Sequence, residues 1–286
     1  MSAAPTIAVE IVWDLTREPP TLGGALVLRV EGELLARLHG ESSLALHLVC
    51  PPADRATADR LVTTVFGSSS LAFDLVAHAA APAGWPEASE RARPGFSYFS
   101  FSRLLSLHAE TGLAPHLRWS EPVQALARSA RARFPGRLLC VHLRSVAPFA
   151  PEESNAPGPV WDAFFARHAR PGILDFLLLG DDPLPAGLAL RPGVTRATML
   201  GLGLATQLAL IAHADGFLGM ASGLCTAANL SATPHVIFKH PDHHPAAMAR
   251  ELGVSDRFPF AGPRQRLWRR VTDAVALDEA FALLSP

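Results

Sequence analysis

At 286 residues the chain is long for one compact domain and comfortable for two of roughly 130 to 150 residues each. Its 49% hydrophobic and 18% charged residues supply real cores, and a net charge of −1 offers no basic excess for nucleic acid. Any charged ligand must therefore be held by a local site and not by the field of the whole protein.

The three cysteines, Cys50, Cys140 and Cys225, are widely spaced with no CxxC pair, which points away from a zinc knuckle or a disulfide framework and towards free buried thiols. The opening MSAAPTIAVEIVWD lacks the basic-then-apolar layout of a signal peptide, and no run of about 18 apolar residues occurs. The expectation is a cytoplasmic protein without a membrane span. Lysine is confined to Lys239, a bias that reads as genome composition.

TIAVEIVW, from Thr6, is short and β-branched, hence a strand. The stretch from Thr21 to Gly40 has apolar residues at helical spacing and a glycine stop. SLALHLVC reads as a second strand, ADRATADRLVTTVF as a helix and SLAFDLVAHA as a third strand. This alternation implies a parallel sheet with covered faces. Residues 80–99 break the rhythm with Pro, Gly and Ser, as functional loops do. Helical patterns return near 101–110 and 121–133, and RFPGR at 133–137 marks a boundary.

The alternation then resumes. RLLCVHL is a strand, PVWDAFFARHA a helix, GILDFLLLG a strand and Val194–Thr198 a short strand. ATQLALIAHA is a helix, DGFLGMA a strand, SGLCTAANLSA a helix, PHVIFK a strand and LWRRVTDAVALDEAFALL a closing helix. The fold class expected is α/β, with two Rossmann-like α/β domains facing a central cleft. Residues 1–135 form the N-terminal domain and 136–286 the C-terminal one, its last helix a candidate to cross back.

Three segments of the second half carry the chemistry. Period two puts His142 and Arg144 on one face at a strand end, with Leu143 turned toward the covering helices. Arg144 offers a planar charged fork suited to a diphosphate. FLLLGDDPL brings Asp181 and Asp182 to another strand end, as a turn or as acceptors for a base or sugar hydroxyl. Ala214-Asp215 ends a helix, and Ser222-Gly223 opens the next, as a plain N-cap or as a phosphate-binding turn. In KHPDHHP, the histidines and Asp242 match no zinc spacing, and Pro241 and Pro245 oppose i, i+4 ligands, so the expectation is no metal and a loop with Lys239 near the phosphates. In WDLTREPPTLGG, Asp14, Arg17 and Glu18 are polar candidates beyond the first strand, and no pattern singles one out.

Taken in order over about residues 138–240, these segments resemble the donor domain of GT-B glycosyltransferases, nearest to the fucosyltransferase and nodulation-protein branch. The turn FLGMASGLCTAANLSATPHVIF is also similar to heptosyltransferase-like GT-B enzymes, here the second choice. The resemblance implies a hexosyl- or fucosyl-type transferase using a nucleotide-diphosphate sugar, a GDP-sugar among the candidates, without a metal or other cofactor. The acceptor would be a carbohydrate or small molecule. It implies Arg144 on the diphosphate, His142 with an acidic partner on the base, and Ser222 with the following N–H groups on phosphate. Asp181, Asp182, Asp215, Gly223 and Lys239 join that binding set, and the resemblance implies a general base in the loop after the first strand, with Asp14 and Glu18 as its candidates. The pattern departs at Ser145 and Val146, where the family carries a second basic residue and then an Asp. A nucleotide-sugar epimerase or hydrolase and an inactive nucleotide-binding module are the alternatives.

Overall fold

The computed structural model describes residues 9–80, 101–146 and 154–285. The loop expected over 80–99 therefore lies almost wholly outside the described residues. The chain divides into two compact units between Glu121 and Pro122, ahead of the RFPGR punctuation.

The first unit runs β1 (Val9–Asp14), α1 (Leu22–His39), β2 (Ser43–Val49), α2 (Arg55–Leu61), β3 (Ala72–His78) and α3 (Ser102–Thr111), with α2 passing into a π-helical turn at Val62–Phe66. Its three strands are parallel, in the order β1-β2-β3. Ile11 and Trp13 of β1 alternate inward with Leu44, Leu46 and Leu48 of β2, and all five are buried. The expected ends of α1 are present: the Thr21 side chain accepts from Gly24 N, and Gly40 adopts φ 71°. Arg29 is fully buried and ties α1 to the π-helical turn and to the backbone at Arg118. Its Nε donates to Glu33 Oε1 at 2.7 Å, Nη1 to Val65 O at 2.8 Å, and Nη2 to Arg118 O. Glu33 also accepts from Ser69 Oγ and Arg118 N, so the buried pair is satisfied on both sides.

The second unit opens with most of α4 (Glu121–Arg131) and continues β4 (Arg137–His142), α5 (Gly158–His168), β5 (Leu174–Leu179), β6 (Val194–Arg196), α6 (Leu204–Ile211), β7 (Gly216–Met220), α7 (Gly223–Asn229), β8 (His235–Phe238), α8 (Pro245–Leu252), β9 (Gln265–Trp268) and α9 (Ala274–Leu284). Six parallel strands lie in the order β6-β5-β4-β7-β8-β9. The first strand is central and the chain winds outward from it in both directions, which is the doubly wound arrangement. β4 is covered on both faces, which explains its unbroken apolar run. Leu139, Val141 and Leu143 enter one core with Trp161, Phe164 and Phe165 of α5 and with Leu277 and Leu284 of α9. Phe165 and Phe176 meet with ring centroids 5.0 Å apart. Each such buried aromatic stabilises the unit by roughly 1.5–3 kcal/mol. α9 packs on α5 and stays with this core.

Two segments differ from expectation. The closing helix read over LWRRVTDAVALDEAFALL is shorter: Gln265–Trp268 pairs with β8 as β9, and α9 starts at Ala274, capped by Asp273 Oδ1 accepting from Ala276 N at 2.7 Å. Pairing along a sheet edge overrides helical spacing there. The KHPDHHP loop does not run on unstructured. It turns into α8 at Pro245, the first helical position, where a missing N–H costs nothing. Among the described residues no helix is long and apolar enough to cross a membrane.

Candidate functional site

Chain direction reverses between β4 and β7. The connection out of β4 leads to β5, and β7 lies on its other side. Loops diverging from such a point leave a crevice beyond the carboxyl ends of the strands. Gly219 lets β4 and β7 approach closely there, since an added Cβ would fall 2.6 Å from His142 O.

The polar residues of this edge come from four strand ends. After β4, Arg144 reaches across the crevice and donates from Nη1 to Ala221 O at 3.2 Å. Arg144 and the Ser222-Gly223 turn therefore open on one side. Ser222 caps α7, its Oγ accepting from Cys225 N at 3.4 Å. The Cys225 thiol, pushed up to about 12 by burial, donates to Met220 O and is inert as a nucleophile. Lys239, at the end of β8, is 6% exposed, and burial pushes its ammonium down to about 8, helped by the nearby Arg144 and opposed by Glu251. His243 and His244 come next, in the loop ahead of α8. Burial first and Lys239 second bring His243 down to about 3 and lower His244.

His142 is buried beneath Gly180. Desolvation holds its imidazole below its ordinary value, against the Leu179 carbonyl and the Asp182 carboxylate, which favour the charged form. In the neutral ring, Nδ1–H donates to Leu179 O at 3.2 Å. Nε2 is then an acceptor, 3.9 Å from Asp182 Oδ2. That gap is too long for a direct hydrogen bond, and a donor placed between the two atoms would satisfy both. Leu143, Leu179, Pro183 and Leu184 wall a small hollow beside Asp182, with Arg196 on its rim. Asp181 is exposed next to it.

The structure thus gathers His142, Arg144, Asp181, Asp182, Ser222, Gly223 and Lys239 along one edge of the second unit. Asp215 does not join them. It precedes β7 and stands at the opposite, amino-terminal edge, where its Oδ2 accepts from Leu138 N at 2.8 Å and Arg131 Nη2 at 2.9 Å. Its role there is to join the starts of β4 and β7. Asp14 and Glu18 belong to the first unit. The Asp14 carboxylate accepts from Thr16 N and Thr16 Oγ1 and pairs with Arg17 at 3.3 Å, so it shapes its own loop. Glu18 is half-buried in that loop. Among the described residues no three His, Cys, Asp or Glu side chains gather closely enough to hold a metal ion.

Two residues of this edge escape the sequence patterns. Gln207 is buried in α6 and binds the end of β5, its Oε1 accepting from Gly180 N at 2.8 Å and its Nε2 donating to Leu202 O at 2.7 Å. An amide inside the apolar run ATQLALI is the available signal. Arg196 donates to Asp182 O at 2.9 Å and fixes the Asp-Asp-Pro turn.

Fold and edge together define a doubly wound α/β protein with a basic crevice at its switch point. No protein-family model matches the chain, and no curated protein matches it in sequence. Among solved structures, it is similar to a glycosyl transferase family 9 protein of Veillonella parvula, at 10% identity and a TM-score of 0.52 over 96% of this chain and 88% of that one. It is also similar to the E. coli heptosyltransferase WaaC with ADP, at 12% identity and a TM-score of 0.52 over 98% of this chain and all of the other. The fold is that of these transferases: two Rossmann-like α/β units, in the GT-B class.

Proposed function

We propose that this protein is a glycosyltransferase that moves a sugar from a nucleotide-diphosphate sugar to an acceptor hydroxyl. One observation carries the reading: Arg144 and Lys239 flank the Ser222 turn at the switch point of the six-stranded sheet. Departure of the nucleoside diphosphate builds negative charge on its phosphates. A guanidinium and an ammonium already in place stabilise that charge without reorganisation. Strand order orients the donor. The diphosphate lies over β4, β7 and β8, and the base and ribose extend toward β5, where His142 Nε2 and Asp182 accept from ligand donors beside the hollow. No step of this scheme draws on a metal. The acceptor is a carbohydrate or small molecule, and the heptosyl-type branch is favoured over the fucosyl type.

Thermal-shift titration with ADP, GDP, UDP and TDP identifies the nucleotide, since a ligand bound only to the folded state raises the melting temperature. Turnover of the matching sugar nucleotide is then assayed with and without acceptors. Arg144→Ala is expected to cut transfer by about 100-fold or more, the range for removing a preorganised charge donor. Unchanged transfer in that variant refutes the assignment, and turnover without acceptor converts it to a hydrolase.

A further inference from the structure

Among the described residues four strands end a sheet: β1, β3, β6 and β9. β3 is the longest of them, with seven residues, and none of the seven is buried. β1, by comparison, buries Ile11, Trp13 and Asp14. An open edge of this length is ordinarily guarded by a proline, a lysine or a bulge. AFDLVAH contains neither proline nor lysine, and its register with β2 is unbroken from Ala72 to His78. No described strand pairs with its outer side. Backbone direction fixes what a newcomer meets there. Cys50 N donates to His78 O at 3.4 Å, so His78 turns its peptide groups toward β2. Alternation turns those of Asp74 and Val76 the same way, and those of Phe73, Leu75 and Ala77 outward.

We propose that β3 is the contact of a homodimer, in which two copies of this chain join their β3 strands antiparallel about Val76. The occupant is argued from the strand's own complementarity. Two copies related by a twofold axis present the same strand to each other, and outward peptide groups must meet outward ones, so a single residue lies at the centre. Centring on Asp74 sets two carboxylates face to face, and centring on Leu75 sets Asp74 against the partner's Val76. Centring on Val76 sets Asp74 opposite the partner's His78, and does so at both ends of the seam. Asp74, Val76 and His78 share the sheet face that does not carry the buried Leu44, Leu46 and Leu48. His47 holds the His78 ring on that face, its Nδ1 lying 3.1 Å from His78 Nε2. In this register Leu75 and the partner's Ala77 exchange both backbone hydrogen bonds. Val76 and the partner's Val76 form the closer, non-hydrogen-bonded type of pair, as do Asp74 and the partner's His78.

Sedimentation velocity of the full chain, from micromolar to near-millimolar concentration, tests this. The expected mass rises toward that of two 30.5 kDa chains. Ala77→Pro removes an outward N–H and spares the ladder to β2, as proline does on edge strands. It should sediment as one chain, and its melting curve at the lowest concentration should match the wild type. Asp74→Lys puts a cation opposite the partner's His78 and should weaken the dimer by about 10-fold or more. Val76→Cys brings two thiols together where the Cα atoms are about 4.5 Å apart, within disulfide range. Under oxidation it should give a covalent pair on a non-reducing gel, whereas Leu75→Cys, equally exposed but opposite the partner's Ala77, should not. The three native cysteines are buried and leave little background. A wild-type chain that stays single at every concentration overturns the proposal. So does a dimer that survives Ala77→Pro, or one that Leu75→Cys links as readily as Val76→Cys. None of these readouts needs a bound nucleotide, so the outcome is independent of the function proposed for the crevice.

Discussion

Gly219→Ala puts a methyl group where β4 and β7 leave no space for it. The added Cβ would lie 2.6 Å from His142 O and 3.1 Å from His142 N, whereas ordinary contact begins at 3.4 Å. The obstacle is backbone, so no rotamer relieves it, and the strands must part by about 0.8 Å at this point. Overpacking of this kind costs about 1–3 kcal/mol. At about 2–4 °C per kcal/mol for a unit of this size, the melting temperature should fall by roughly 2–12 °C. The displacement falls on the two strand ends that hold Arg144 and the Ser222 turn, so affinity for the proposed nucleoside-diphosphate ligand should drop by up to about 100-fold, as misplacements near 1 Å do. Gly262→Ala is the control, because its Cβ would meet nothing closer than 3.6 Å. Melting curves and nucleotide titrations of the two variants decide the matter. A Gly219→Ala protein that melts and binds like the control would refute the role assigned to this strand contact.

Asp215→Ala leaves Leu138 N without its acceptor and should cost about 1–3 kcal/mol of stability while nucleotide affinity stays at the wild-type level; a selective loss of affinity would return Asp215 to the binding site. Arg29→Met strands the Glu33 carboxylate in the first unit and should destabilise by about 3–5 kcal/mol. Adding Glu33→Leu should recover much of that loss in denaturant melts, and an additive double variant would show that the two side chains do not act as a pair.

Much of the fold is legible in the sequence because its signals are local. RLLCVHL reads as a strand covered on both faces, and Thr21 with Gly40 announces both ends of α1. Order along the chain also brings His142, Arg144, Asp182 and Ser222 onto one edge, since residues that come after parallel strands share it. The same rule, applied strictly, excludes Asp215, which precedes its strand; the Ala-Asp pattern by itself does not distinguish the two rims. β9 is hidden because its partner β8 is distant in sequence, and its apolar residues also fit a helix. The Asp273 cap is the sign of the true helix start. Pro245 opens a helix where a proline inside a polar loop suggests a break. The Arg144–Ala221 contact spans 77 residues and emerges only from the strand order, which no local pattern reveals.

The carboxylate of Asp215 has a consequence for how such a protein can change. It fastens the sheet at the rim opposite the crevice, using groups that take no part in the proposed ligand contacts. Cohesion and recognition are thereby allotted to different rims. Libraries randomising the turns after β5 and β8 can then explore new ligands without loosening the scaffold, and repairs made at the far rim should carry over unchanged to whatever specificity emerges.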